Sequence, residues 1–244
     1  MNTFQASFLG LVQGLTEFLP ISSSGHLVLV KQLLNISTPG VLFEVVLHAG
    51  TLLAIVVYFW KEIITIKRKT VYLIAFGTIP AVVIGYVFSS QIEMIFESVK
   101  LVGIALIITG LVNLFVDRLS SKKKNVNYKE SFVVGLAQAI AIIPGISRSG
   151  STIFAGSVLG VNKKKIAQFS FLLSVPAVLG ANVLEMMNYS DSFKLDIAPY
   201  VIGFVLAFIS GFLAIKMVFR FLEKGRFKVF AYYCFIVGLL ALVI

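Results

Sequence analysis

Charge and sulfur are scarce in this sequence. Of its 244 residues only 13% are Asp, Glu, Lys or Arg, and it has one Cys, one Trp and two His. Soluble domains carry roughly 25% charged and about 45–50% apolar residues. Here 58% are hydrophobic and the mean hydropathy is +0.97, which excludes a soluble domain and a disordered chain alike. A lone Cys234 excludes an intrachain disulfide and a cysteine metal site, and its apolar surroundings suit a small buried hydrophobe. Acidic residues number 11 against 21 Lys and Arg, a net charge of +10. The excess does not point to nucleic acid, because the cations collect in short loops between apolar runs without interleaved aromatics. The N-terminus lacks a basic n-region and its apolar run stops at Pro20, so no cleaved signal peptide is expected. What remains is an all-α polytopic membrane protein, a single domain over residues 1–244.

Six apolar runs have the length of a span: residues 41–60, 71–88, 101–117, 166–188, 197–219 and 229–244. The loops between them alternate in charge. Lys61, Lys67, Arg68 and Lys69 form one basic loop; Arg118, Lys122, Lys123, Lys124 and Lys129 a second; Arg220, Lys224, Arg226 and Lys228 a third. The intervening loops carry Glu93 and Glu97 against Lys100, and Asp191 and Asp196 against Lys194. Basic loops belong in the cytoplasm, so both termini are expected outside.

Two further apolar segments are too short to cross. Residues 131–143 would make a helix of only about 20 Å, and they run into Pro144-Gly145-Ile146-Ser147-Arg148-Ser149-Gly150. A second stretch, 152–161, then ends at three lysines. A re-entrant hairpin with its tip inside the protein satisfies both observations. The N-terminal segment repeats the pattern. A shift of 125 places Gly10, Leu11 and Gln13 on Gly135, Leu136 and Gln138, and Ile21, Ser22, Ser24 and Gly25 on Ile146, Ser147, Ser149 and Gly150. Ser23 falls on Arg148. Three spans follow each hairpin, so the copies (about 1–120 and 128–244) are expected to be inverted, with two broken-helix tips meeting near the midplane.

Ionisable residues inside apolar segments are functional candidates. Glu17 lies four residues after Gln13, on one helix face. Pro20 ends that helix and Ser22-Ser23-Ser24-Gly25-His26 opens the next. Serines at a helix start cap free N–H groups, and those groups with the helix dipole form an anion site. Ser147, Ser149 and Gly150 repeat it, and Arg148 adds a planar fork suited to phosphate. A carboxylate, an imidazole, hydroxyls and a guanidinium at two helix starts suggest phosphoryl chemistry. Taken singly, the serines also suit ordinary caps and His26 a satisfied interfacial residue. Glu44 and His48 would pair with each other or line the same cavity; Asn113, Gln138, Asn182 and Glu185 suit interhelical hydrogen bonds, and Lys216 should snorkel.

The stretch Gln13-Gly14-Leu15-Thr16-Glu17-Phe18-Leu19-Pro20-Ile21-Ser22-Ser23-Ser24-Gly25-His26-Leu27 resembles the first signature of the undecaprenyl-pyrophosphate phosphatase (bacitracin-resistance protein) family. The segment from Pro144 to Gly150 resembles its second, and the likeness covers essentially the whole chain. It implies hydrolysis of the C55 lipid pyrophosphate to its monophosphate, recycling the carrier for cell-wall synthesis and lowering bacitracin sensitivity. It also implies a bacterial cell membrane, a site toward the outer face and a divalent cation, Mg²⁺ first and Ca²⁺ second. Where the family has Glu or Gln, this chain has Gln13, which puts a two-carboxylate metal site in doubt. Within that reading the expected catalytic residues are Glu17, Ser23, His26 and Arg148. Ser23 is the expected nucleophile, His26 takes or returns a proton, and Arg148 holds oxygens as charge develops. Glu17 is either a metal ligand or the base, with attack by water or by His26 left open. Gln13, Ser22, Ser24, Gly25, Ser147, Ser149 and Gly150 are expected to bind substrate. Partners are then the polyprenyl pyrophosphate and membrane lipids, with a homo-oligomer left open. The competing function is a transporter or flippase for an anionic lipid or small anion.

Overall fold

The computed structural model describes residues 1–36, 41–121, 125–187 and 196–243. Lys122, Lys123, Lys124, Asn188, Asp191, Lys194 and Ile244, named above, lie outside the described residues. Twelve α-helices account for most of the rest. They are α1 (Thr3–Phe18), α2 (Ser23–Leu33), α3 (Leu42–Tyr58), α4 (Trp60–Ile64), α5 (Arg68–Val87) and α6 (Ser89–Phe96), followed by α7 (Val99–Val116), α8 (Tyr128–Ile140), α9 (Arg148–Val158), α10 (Lys163–Met187), α11 (Ile197–Glu223) and α12 (Lys228–Val243). Four of them, α5, α7, α10 and α11, are long and apolar enough to cross a membrane. The other two expected spans, α3 and α12, are apolar helices of 17 and 16 residues, about 25 Å each. The short helices α4 and α6 stand where no element was expected.

Local chemistry sets the breaks. α1 begins with a capping box in which Asn2 and Gln5 satisfy each other's backbone N–H groups, at 2.8 and 3.0 Å. It stops at Phe18 because Leu19 precedes a proline and is forced extended (φ −61°, ψ 143°). α8 opens with the same device, Asn127 and Glu130. It gives way to a loop containing Pro144 and Gly145. Gly145 has φ +94°, and a Cβ there would sit 2.6 Å from the Ala105 side chain on α7, so only glycine fits.

In lipid, helices are held by close packing of small residues and by internal hydrogen bonds more than by burial of apolar surface. Gly10 and Gly14 of α1 lie against the backbone of α11 at Gly203 and Ala207, while Gly135 of α8 lies against Gly77 of α5. α1 thus packs on α11, and α8 on α5. α3 meets α11, α10 meets α5, and α7 pairs with α12. An aromatic cluster lies at the end of α1: Phe18 meets Phe171 edge-on at 5.6 Å, and Phe59 and Phe219 close the group. Lys216 is exposed with its ammonium over the Phe212 ring, 4.5 Å from the centroid.

Candidate active site

Both interrupted hairpins end in serine-capped helices. Ser22 Oγ accepts from Gly25 N at 3.4 Å to start α2, and Ser147 Oγ accepts from Gly150 N at 3.2 Å to start α9. The hydroxyls two residues on, Ser24 and Ser149, lie 3.3 Å from Ser22 Oγ and Ser147 Oγ. The tips touch: Gly145 N donates to Ser22 Oγ at 3.1 Å, and Ser149 Oγ donates to the Leu19 carbonyl at 3.3 Å. A Cβ on Gly25 would meet Gly145 Cα at 3.0 Å, so the approach needs glycine at that point. Two helix N-termini, with their free N–H groups and positive dipole ends, therefore open onto one place.

Glu17 occupies that place. Its Oε1 accepts from Arg148 Nη2 at 2.5 Å, and its Oε2 accepts from Ser23 Oγ at 2.6 Å and Gln13 Nε2 at 3.1 Å. The ion pair is mostly buried, at 14% and 9% side-chain exposure. Such a pair is costly to break, about 3–5 kcal/mol when one partner is removed, so Glu17 and Arg148 hold the two tips in register. The second arm of the fork, Arg148 Nη1, is buried and has no partner among the described residues. Gln13 Oε1, beside Glu17, is in the same condition.

His26 faces another way. Its Nδ1 lies 2.7 Å from the Ser22 carbonyl and its Nε2 2.8 Å from the Tyr233 hydroxyl. The acceptor for the Ser23 hydroxyl is Glu17. Ser22 itself has φ +70°, an unusual value for a residue with a side chain, costing on the order of 1–3 kcal/mol.

α7 clamps both tips. Thr109 Oγ1 donates to the Gly145 carbonyl at 2.7 Å and accepts from Ser147 N at 2.9 Å. One turn further on, Asn113 Nδ2 donates to the Pro20 carbonyl at 2.5 Å. Asn113 thus bonds the turn between α1 and α2 and not another helix, and its Oδ1 has no partner among the described residues. Gln138 is buried without a partner for either side-chain polar atom among the described residues, and Asn182 Oδ1 is likewise unpaired. Thr109 and Tyr233 escape a sequence reading; the only trace is Thr109 standing four residues before Asn113 in a run of apolar residues.

A cleft of about 640 Å³ starts at Ser24 and is lined by Lys31, Glu44, His48, Glu97 and Glu185 among others. Glu44 and His48 share it, but the ion pair of Glu44 is with Lys31 of α2. No three His, Cys, Asp or Glu side chains converge on a metal-sized point among the described residues. Glu17 and the unpaired Gln13 Oε1 are the oxygens that fit a hard cation here. They suffice only for one that takes most of its shell from elsewhere.

Similarity to known proteins decides the family. The family model described as bacitracin resistance protein BacA matches residues 6–240. This chain belongs to the BacA family. Relatives named undecaprenyl-diphosphatase agree with it along the whole chain. The protein of Carboxydothermus hydrogenoformans is 42% identical over 255 residues, covering 100% of this chain and 98% of its own length. That of Halothermothrix orenii has the same identity and coverage, and that of Methanosphaera stadtmanae is 39% identical over 275 residues with the same coverage. Family membership and four span-length apolar helices make this a multi-pass membrane protein.

Proposed function

We propose that this chain hydrolyses undecaprenyl pyrophosphate to undecaprenyl phosphate and phosphate, and so recycles the lipid carrier of cell-wall synthesis and lowers sensitivity to bacitracin. The relatives' name supplies the substrate. The observation that carries the chemistry is the Ser23–Glu17–Arg148 junction, where a hydroxyl donates to a carboxylate at 2.6 Å beside a half-free guanidinium.

The terminal phosphate would lie over the starts of α2 and α9, its oxygens held by Arg148 Nη1 and the free N–H groups. Ser23 Oγ attacks phosphorus as Glu17 Oε2 takes its proton. The Oγ–P bond forms, the bridging P–O bond breaks, and undecaprenyl phosphate departs. Water then attacks the phosphoserine, Ser23 regains its proton and phosphate leaves. A divalent cation, Mg²⁺ or Ca²⁺, would be held by Gln13 Oε1, with Glu17 as its further ligand in the alternative in which Glu17 is not the base, and would supply positive charge against the pyrophosphate.

The same proposal includes the inverted repeat, with six spans and two re-entrant hairpins. Its support is the 125-residue match together with the crossed packing of α1 on α11 and α8 on α5. The site is placed toward the outer face of the bacterial plasma membrane. The cleft from Ser24 ends among Glu97 and Glu185, by the loops poor in basic residues, in support of that orientation. Cys234 is fully buried, so engineered cysteines report cleanly. Ser90→Cys should react with a membrane-impermeant maleimide in intact cells and Ser121→Cys only after lysis; the reverse pattern would overturn the orientation.

Activity has a direct test. Protein purified in detergent should release phosphate from undecaprenyl pyrophosphate, with loss on chelation and recovery on adding Mg²⁺ or Ca²⁺. Transport needs two compartments and detergent provides none, so absence of phosphate release would leave the transporter as the better reading.

A further inference from the structure

Tyr233 is on α12, 207 residues from His26, yet its hydroxyl is 2.8 Å from His26 Nε2 and the two rings stack at 11° with centroids 5.5 Å apart. The partners of His26 determine where its proton sits. A carbonyl oxygen only accepts, so the 2.7 Å contact with the Ser22 carbonyl requires a proton on Nδ1. In the neutral ring Nε2 is then bare, and the Tyr233 hydroxyl is the donor that meets it. His26 is 7% exposed and Tyr233 is 41% exposed, so a buried imidazole is bonded to a phenol at the surface.

The contact belongs to a continuous line of hydrogen bonds. Tyr233 O–H donates to His26 Nε2, His26 Nδ1–H donates to the Ser22 carbonyl, and Gly145 N–H donates to Ser22 Oγ. The line begins on the last helix, passes through the left-handed Ser22 and ends on the second tip. Ser23 follows Ser22 directly, so the direction of its hydroxyl toward Glu17 depends on the conformation this line holds. An unfavourable backbone geometry persists only where its surroundings over-determine it.

We propose that Tyr233 is a positioning residue: its hydroxyl fixes the Nδ1–H tautomer and ring plane of His26, and through Ser22 it aims Ser23 at the reacting phosphorus. In this scheme His26 is a strut for the first tip. The inference rests on the phosphatase reading for its kinetic part, but its structural part stands alone.

The test uses the full-length protein in detergent with ¹⁵N-labelled histidine. The chain has two His, so two sets of ring signals are expected, and His48→Gln assigns them by deletion. In the parent protein His26 should show a protonated Nδ1 and a hydrogen-bonded Nε2. Tyr233→Phe keeps the stacked ring and removes the donor. It should shift the Nε2 signal or average the two tautomers, and lower kcat at least tenfold with KM within about twofold, because Arg148 and both helix starts still bind the pyrophosphate. Tyr232→Phe, a neighbouring exposed tyrosine, should change neither. Unaltered His26 signals in Tyr233→Phe would overturn the assignment. So would altered signals with unchanged kcat, or a loss confined to KM. A parent protein that releases no phosphate but shows the bonded Nδ1–H tautomer would sink the phosphatase reading and leave the hydrogen-bond assignment standing.

Discussion

Arg148→Lys should give a folded protein whose phosphate release is lower by one to two orders of magnitude for each hydrogen bond lost. Lysine keeps the charge beside Glu17, so the buried carboxylate stays paired and the tips stay together. What disappears is the fork, with Nη2 on Glu17 and Nη1 free for a phosphate oxygen. A hydrogen bond to a charged group is worth about 1.5–3 kcal/mol net, and tenfold in rate is about 1.4 kcal/mol. One compact ammonium serves either direction but not both in a planar pair. Arg148→Ala is less informative, since an unpaired buried Glu17 would confound stability with chemistry. Melting behaviour measured beside kcat separates the two, and near-normal turnover by the lysine variant would reduce Arg148 to a loop anchor.

The second large effect is expected at Ser23. Ser23→Ala removes one of two donors to Glu17 Oε2 and leaves Gln13 and Arg148 in place. The variant should bind undecaprenyl pyrophosphate with nearly parent affinity and release phosphate at less than a hundredth of the parent rate. A rate of a tenth or better would remove Ser23 as nucleophile and leave water, since both ring nitrogens of His26 are engaged elsewhere. Ser23→Cys tests the covalent route, since a thiol still attacks but forms a thiophosphate that hydrolyses with a different rate. Glu17→Gln distinguishes base from ligand. As the base, Glu17 is irreplaceable and raising Mg²⁺ recovers nothing. As a ligand, part of the lost rate returns with metal.

The two tips were legible because capping chemistry is local. A serine followed three residues later by glycine forecasts the Oγ-to-N contacts of Ser22 and Ser147 at both tips. The pairing of Glu17 with Arg148 was approachable for a different reason, since an ionisable residue in an apolar segment demands a partner. Tyr233 left no mark, since a tyrosine in a C-terminal apolar run looks like any lipid-facing aromatic and its partner is 207 residues away. Of the two readings of Glu44 and His48, it is the shared cleft that the structure has: both line it, while α2 passes close enough for Lys31 to take the carboxylate. The helices α4 and α6 were missed because five and eight residues are too few to display a periodicity.

The Glu17–Arg148 pair joins residues 131 positions apart, and this separation has a consequence for biogenesis. At roughly 5–20 residues per second of synthesis, the carboxylate waits about 7–26 s for its guanidinium to be made. Until then Glu17 has no cation to pair with, which is costly for an ionisable group in hydrocarbon, and α11, the helix that α1 packs against, is made later still. The first tip therefore completes its contacts only once the second tip and α11 have been made, and its final geometry is set late in synthesis although its residues come first.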